Sequence, residues 1–238
     1  MYAATKPIRI GAPRSFNAIP RRLHSHDTLD LLEQFGTTLI LAREHPIHAQ
    51  GDEVTYCWRV IDGCVRTVTL LPDGRRAVDE FLLANEYFGF DDVGTHNLTA
   101  EAVSNVVLRR YPRRAVEALA INDFALSYQL RSMALANVHT ARRRALMLSR
   151  KTAVERLSSF MLEMDRRVPG RNDGITELAM RRTDIADHLG LTTETVSRGL
   201  QQLNRNGVVV LRKHGFRICD RAALRDLAGA LQDLERIR

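Results

Sequence analysis

Glu194, Ser197 and Arg198 place a carboxylate, a hydroxyl and a guanidinium within five residues of one another. If 193–204 is helical, these three share one half of the helix with Gln201 and Arg205. At 100° per residue, Val196, Leu200 and Leu203 then fall within about 60° of each other on the opposite half. One face can anchor the helix while the other presents directional hydrogen-bonding groups. A guanidinium can bond O6 and N7 of guanine as a fork, and a carboxylate can accept from N4 of cytosine. The i, i+4 spacing of Glu194 and Arg198 lets the acid steady the arginine. The same pair would equally make an ordinary solvated ion pair.

The flanking elements have to position that helix. Thr183-Asp184-Ile185-Ala186-Asp187-His188-Leu189 reads as a short helix with Thr183 as its N-cap and Ile185 and Leu189 as an apolar i, i+4 pair. Gly190 follows where the chain must turn, Leu191 is expected to be buried in the turn, and Thr192 caps the next helix. Two helices joined by a tight glycine-containing turn form a helix-turn-helix. Asn206-Gly207 ends the second helix. Val208–Leu211 and Phe216–Ile218 then flank a basic tip, Arg212-Lys213-His214-Gly215, which predicts a hairpin wing. Arg181, Arg182, Thr183, Thr192, Thr193, Thr195, Gln201, Arg205, Arg212 and Lys213 are the expected contacts to a phosphate backbone, which positions a protein on a duplex without specifying sequence.

Upstream the text changes character twice. From Leu39 to about Tyr111, short runs of Val, Ile, Leu and aromatics alternate with turn signals such as Asp62-Gly63 and Pro72-Asp73-Gly74. That spacing predicts an antiparallel sandwich or barrel. From Arg113 to Leu148, Gly and Pro are absent and Asn122-Asp123 offers a helix N-cap. Leu130, Ala134, Val138, Ala141, Ala145 and Leu148 recur at spacings of 4, 4, 3, 4 and 3, the stripe of a coiled-coil seam. A helix packed on its own domain gives a similar stripe. Flanking Arg142-Arg143-Arg144 favours self-association. A helix from Thr152 to about Arg167 follows, ended by Pro169-Gly170. A polar turn at 171–174 comes next, and Ile175–Met180 is expected to be extended.

The 238 residues carry 35 Lys and Arg against 28 Asp and Glu, a net charge of +7. Residues 150–238 hold 17 basic against 12 acidic side chains, so most of the excess lies in the last third. A basic domain suggests a polyanionic partner. No run approaches the roughly 18 apolar residues of a membrane helix, and the basic N-terminal stretch lacks the apolar run of a secretory signal. Cys57, Cys64 and Cys219 form no disulfide framework and no CxxC pair, which fits a reducing cytoplasm and predicts no metal or iron–sulfur centre. Cys57 and Cys64 are expected to fill the β-rich region. His45 and His48, with Pro46 between them, lack the converging acid of a metal site. No catalytic constellation stands out, so no enzyme and no cofactor is expected.

The run from Arg182 to Leu203 resembles the DNA-binding signature of the Crp–Fnr superfamily of transcription regulators. The order of β-roll, long helix and winged helix-turn-helix matches over about 200 residues. Glu194, Ser197 and Arg198 are similar to the Glu-x-x-Ser-Arg of its Fnr and FixK branch, with Thr193 where the cyclic-AMP-binding branch has another arginine. The resemblance implies an α+β fold: an N-terminal antiparallel β-roll of the jelly-roll, cyclic-nucleotide-binding type, a long dimerisation helix and a C-terminal winged helix-turn-helix. The corresponding division is 1–28 basic tail, 29–121 β-roll, 122–148 dimerisation helix, 149–225 DNA-binding domain and 226–238 tail.

It further implies a homodimer on double-stranded DNA, a TTGA…TCAA palindrome and recruitment of RNA polymerase. Arg198 would read guanine, Glu194 the opposing cytosine and Ser197 a thymine edge. Arg181 departs from the small residue usual in the family before the first helix and could add a phosphate contact. Phe90 and Leu98 stand where the family's cyclic-nucleotide binders carry a glutamate and an arginine, so the resemblance predicts no cyclic nucleotide. Residues 1–56 contain no cysteine, so the oxygen-sensing cluster of Fnr is not expected. A FixK-like regulator of low-oxygen, nitrogen-fixation, respiration or denitrification genes is the leading expectation. Its rivals are a repressor of the same superfamily controlled by haem or a small aromatic ligand, and a barrel-type metalloenzyme with an accessory domain.

Overall fold

A computed structural model describes residues 32–91, 94–168 and 174–229. The expected basic tail at 1–28, the polar turn at 171–173 and residues 230–238 lie outside the described residues. Eight strands build the β-roll: β1 (Thr37–Leu41), β2 (Pro46–His48), β3 (Tyr56–Asp62), β4 (Val65–Leu70), β5 (Arg76–Leu82), β6 (Tyr87–Phe88), β7 (Thr99–Ala102) and β8 (Val106–Pro112). They form two antiparallel four-stranded sheets, in the orders β1-β8-β3-β6 and β2-β7-β4-β5. Alternation does the sorting: Val106 and Leu108 of β8, Val60 of β3 and Val65 of β4 all point into one core with Trp58 and Phe88. Gly63 turns β3 into β4 with φ +90°, and a Cβ there would stand 2.4 Å from the Asn105 carbonyl oxygen, so only glycine fits. Pro72-Asp73-Gly74 closes the β4–β5 hairpin as its residue types predict.

Helix α1 (Arg113–Asn122) leads into the 27-residue α2 (Phe124–Arg150). The Asp123 carboxylate accepts from the Leu126 amide and caps α2, as expected from Asn122-Asp123. Helix α3 (Ala153–Arg167) starts in a capping box between Thr152 and Glu155. The helix-turn-helix is α4 (Arg182–Leu189) and α5 (Thr193–Arg205), and the wing is β10 (Val209–Arg212) with β11 (Gly215–Ile218). Strand β9 (Thr176–Glu177) pairs with β11, making the wing a three-stranded sheet. Helix α6 (Arg221–Ala228) packs Leu224 and Ala228 into the core under α3 and runs past the expected boundary at 225.

One core crosses the expected domain boundary. Cys64, Val68, Val78, Phe81 and Val103 of the β-roll belong to the same buried cluster as Leu157, Phe160, Ile185, Leu189, Val196 and Leu203. The Phe81 ring lies 6.2 Å from Phe160 and 5.2 Å from His188. The β-roll and the helix-turn-helix are therefore cemented by apolar burial, the largest favourable term in folding.

Candidate nucleic-acid interface

Local chemistry sets each part of the helix-turn-helix. The Thr192 side chain accepts from the Thr195 amide at 3.1 Å and starts α5. Gly190 ends α4 in the left-handed region at φ +61°. Thr183 does not cap α4. The cap position is Arg181, and the Asp184 carboxylate reaches back to the Arg181 amide at 3.0 Å. With the Asp184 carboxylate at the third helical position accepting the Arg181 amide, the helix begins two residues upstream of the expected cap and Thr183 falls inside its first turn.

Along α5, Val196, Leu200 and Leu203 are buried and Glu194 and Arg198 face solvent, with side chains 75% and 69% exposed. Glu194 Oε1 lies 3.4 Å from Arg198 Nη1. Ser197 accepts from Arg182 Nη1 at 3.2 Å, so α4 supports the polar face of α5. Thr192, Thr193, Gln201 and Arg205 are exposed on or beside α5, and Arg212, Lys213 and His214 are exposed at the wing tip. Thr183 is exposed in the first turn of α4. Thr195 is half-buried, its hydroxyl held 2.8 Å from that of Thr192. Arg181 lies 3.7 Å from Glu44 of the β-roll. The predicted base-facing trio is thus brought together on one open face, with the basic wing tip as a separate surface.

Along α2, Ala134, Val138, Ala141 and Ala145 are exposed, while Leu130 and Leu148 are partly buried. Leu130, Ala134 and Ala141 also border the space between α2 and the β-roll, and Tyr128, Leu135 and Leu146 are exposed on a side of the helix turned by roughly 100° or more from that stripe.

The second feature is a cavity of about 1000 Å³ between the β-roll and α2. It is lined by His48, Arg59, Glu80, Leu98, Arg131 and Arg144, among others. Leu98 and Phe90 both border it, as their motif positions imply. The arginines around it already have partners: Arg59 bonds Glu33 and Asn85, Arg144 bonds Asp79, and Arg131 lies over Tyr128. His48 stacks 3.6 Å from His96 and 5.0 Å from Trp58, and neither of its ring nitrogens makes a well-formed hydrogen bond among the described residues. Burial, and then the neighbouring His96, lower the His48 pKa to about 4. Sequence reasoning missed His96, which the pairing of β2 with β7 and the backbone bonds of His96 to Gly51 and Asp52 bring beside His48. Cys57 and Cys64 are buried in the β-roll, and desolvation pushes both thiols up to about 12, so neither is a thiolate at neutral pH. Among the described residues, no group of three His, Cys, Asp or Glu side chains could hold a metal, and no helix is long and apolar enough to cross a membrane.

A winged helix-turn-helix with an open polar recognition face, set on an antiparallel β-roll, defines a DNA-binding transcription regulator. The model of the Crp-like helix-turn-helix domain matches residues 155–227, and that of the cyclic nucleotide-binding domain matches 39–123. The chain is 39% identical over 196 residues to the nitrogen fixation regulation protein FixK of Azorhizobium caulinodans, covering 81% of this chain and 79% of that protein. It is 38% identical to the FixK of Rhizobium meliloti, covering 70% and 74%. The structure of FixK2 from Bradyrhizobium japonicum superposes with a TM-score of 0.79 at 35% identity, over 82% of this chain and 98% of that one. The chain belongs to the Crp–Fnr superfamily of transcription regulators, in its FixK-like branch, a family of regulators and not of enzymes.

Proposed function

We propose that two copies of this chain join along α2 and read a palindrome of the TTGA…TCAA type in the cytoplasm. Arg198 reads guanine, Glu194 accepts from the opposing cytosine, and Ser197 touches a thymine edge. Arg181, Arg182, Thr183, Thr192, Thr193, Thr195, Gln201, Arg205, Arg212 and Lys213 hold the phosphate backbone, with Arg182 and Arg181 already engaged by Ser197 and Glu44 in the free protein. The observation that carries this reading is α5 itself: its apolar edge is locked in the core while the Glu194–Arg198 pair stands open at 3.4 Å. Two-fold symmetry comes from α2, with Ala134, Val138, Ala141 and Ala145, exposed in the single chain, as the seam and Leu130 and Leu148 closing its ends. The bound dimer acts chiefly as an activator that contacts RNA polymerase. Its targets are nitrogen-fixation and low-oxygen genes, a reading supported for the first class by the similarity to the nitrogen fixation regulation proteins FixK. Selection of bound sites from random duplex DNA with purified, untreated protein tests this. The expected product is an inverted repeat with half-sites about one helical turn apart. Recovery of no sequence preference would remove the base-reading role.

A second reading, ligand control, is favoured by the cavity and by the unsatisfied His48 ring at its wall. A small neutral aromatic molecule suits a wall of His48, Tyr87 and Phe88 better than a cyclic phosphate, given Leu98 in place of an arginine and neighbouring arginines that already have partners. A protein that binds its selected site only after such a ligand is added would establish this reading over the first.

A further inference from the structure

Asp184 is the most heavily engaged carboxylate of the helix-turn-helix, and two of its partners come from the other domain. Its Oδ1 accepts from Arg66 Nη1 at 3.0 Å and Arg76 Nη2 at 2.9 Å, while Oδ2 caps α4 through the Arg181 amide. Arg76 forks further to Asp187 Oδ2 at 2.8 and 3.1 Å. Arg66 is held from behind by Glu44 and Glu101, both at 2.8 Å. The Arg66 and Asp184 side chains are 5% and 2% exposed, so these are desolvated, charge-assisted bonds. Nearby, Arg144 of α2 donates to the Val78 carbonyl of β5 and pairs with Asp79.

Apolar contacts between the two units tolerate sliding, whereas a guanidinium fork onto two carboxylates one helical turn apart accepts one orientation of α4. Only Gly190, Leu191 and Thr192 separate α4 from the recognition helix, and Arg182 of α4 bonds Ser197 of α5. The tilt of α4 on β5 therefore becomes the tilt of the base-reading face. We infer that Arg66 and Arg76 of the β-roll are positioning residues for DNA reading, which act through Asp184 and Asp187 to fix the recognition helix at the angle the half-site spacing requires. This rests on the proposed dimeric base reading. It adds that the β-roll sets the register between half-sites by direct ion pairing.

The test applies site selection to the full-length wild type, Arg76→Ala, Asp187→Ala and the double variant, with a thermal melt of each. Arg76 and Asp187 are partly exposed, which leaves the buried Arg66–Asp184 pair intact. The wild type should select a single half-site spacing. Each single variant should keep the same bases in each half-site, accept spacings one base pair longer or shorter, and lose roughly tenfold in affinity for the original site. The double variant should lose no more than the weaker single. For any variant that melts early, Asp187→Asn and hydrogen exchange of the α4 and α5 amides in the free chain replace it, and faster exchange is expected. Unchanged spacing and affinity in folded variants overturn the inference, as do losses that simply add in the double variant. A wild type that selects no palindrome instead overturns the base reading on which the inference rests.

Discussion

Arg198 is a guanidinium with one close acidic neighbour, Glu194, and more than two-thirds of its surface open. Replacing it with Ala should cost roughly 1–3 kcal/mol at the selected site and relax the preference for guanine there, measured by titration against matched and single-mismatch duplexes. Equal loss on cognate and random DNA would reassign Arg198 to the backbone. Arg212→Ala and Lys213→Ala should weaken all duplexes alike and flatten the salt dependence, each lowering the slope of log K against log salt by about 1. Glu80 shows the same logic inside the β-roll. Burial raises its carboxyl pKa from 4.5 to about 7, outweighing the pull of Arg167. A raised carboxyl contributes stability that is complete below pH 4.5 and is lost as pH climbs through 7. Glu80→Gln should therefore be more stable than the parent by about 1–2 kcal/mol at pH 8 and lose that advantage by pH 4.5, as read by denaturant melts at the two pH values.

The recognition helix depends on how its ends are tied. Thr192 satisfies the Thr195 amide at the start of α5, and Asn206-Gly207 releases the chain at its end. Thr192→Ala should cost about 1 kcal/mol of stability with little effect on the folded structure, measurable as a shifted urea midpoint at unchanged slope. Helix α4 is tied differently, by Asp184 reaching back to Arg181. The same carboxylate that starts the helix also receives two arginines of the β-roll, so helix initiation and domain docking share one side chain.

For the whole molecule, the decisive contrast is between two apolar surfaces, one on the helix-turn-helix and one on the long helix before it. One, led by Leu189, Val196 and Leu203, is absorbed into a core continuous with the β-roll. The other surface to consider is the apolar stripe of α2, in which Val138 is 47% exposed. An apolar stripe of this kind on a 27-residue helix is what a second copy would cover. Val138→Glu should put a charge in that seam, halve the mass measured by light scattering and abolish binding to a full palindrome while the melt remains cooperative. Retention of the dimer would move the interface off Val138.

Local patterns carry their own answer when neighbours in sequence are the neighbours that matter. The helix-turn-helix, the Thr192 and Asp123 caps, the Pro72-Asp73-Gly74 hairpin and the basic wing were all legible, because turn dihedrals and 3.6-residue periodicity act over a few residues. The outward trio Glu194, Ser197 and Arg198 followed from the same periodicity, since the buried edge of a helix dictates its open one. What stayed hidden was everything that joins distant stretches. The β9–β11 pairing and the His48–His96 stack depend on partners the folded chain delivers, whereas the start of α4 at Arg181 rests on a local carboxylate three residues on that competes with the Thr183 hydroxyl. The Arg66–Asp184 bond spans 118 residues. Ion pairing and stacking have no period along the chain, so an isolated arginine on a strand reads as a surface charge until the sheet and the helix meet.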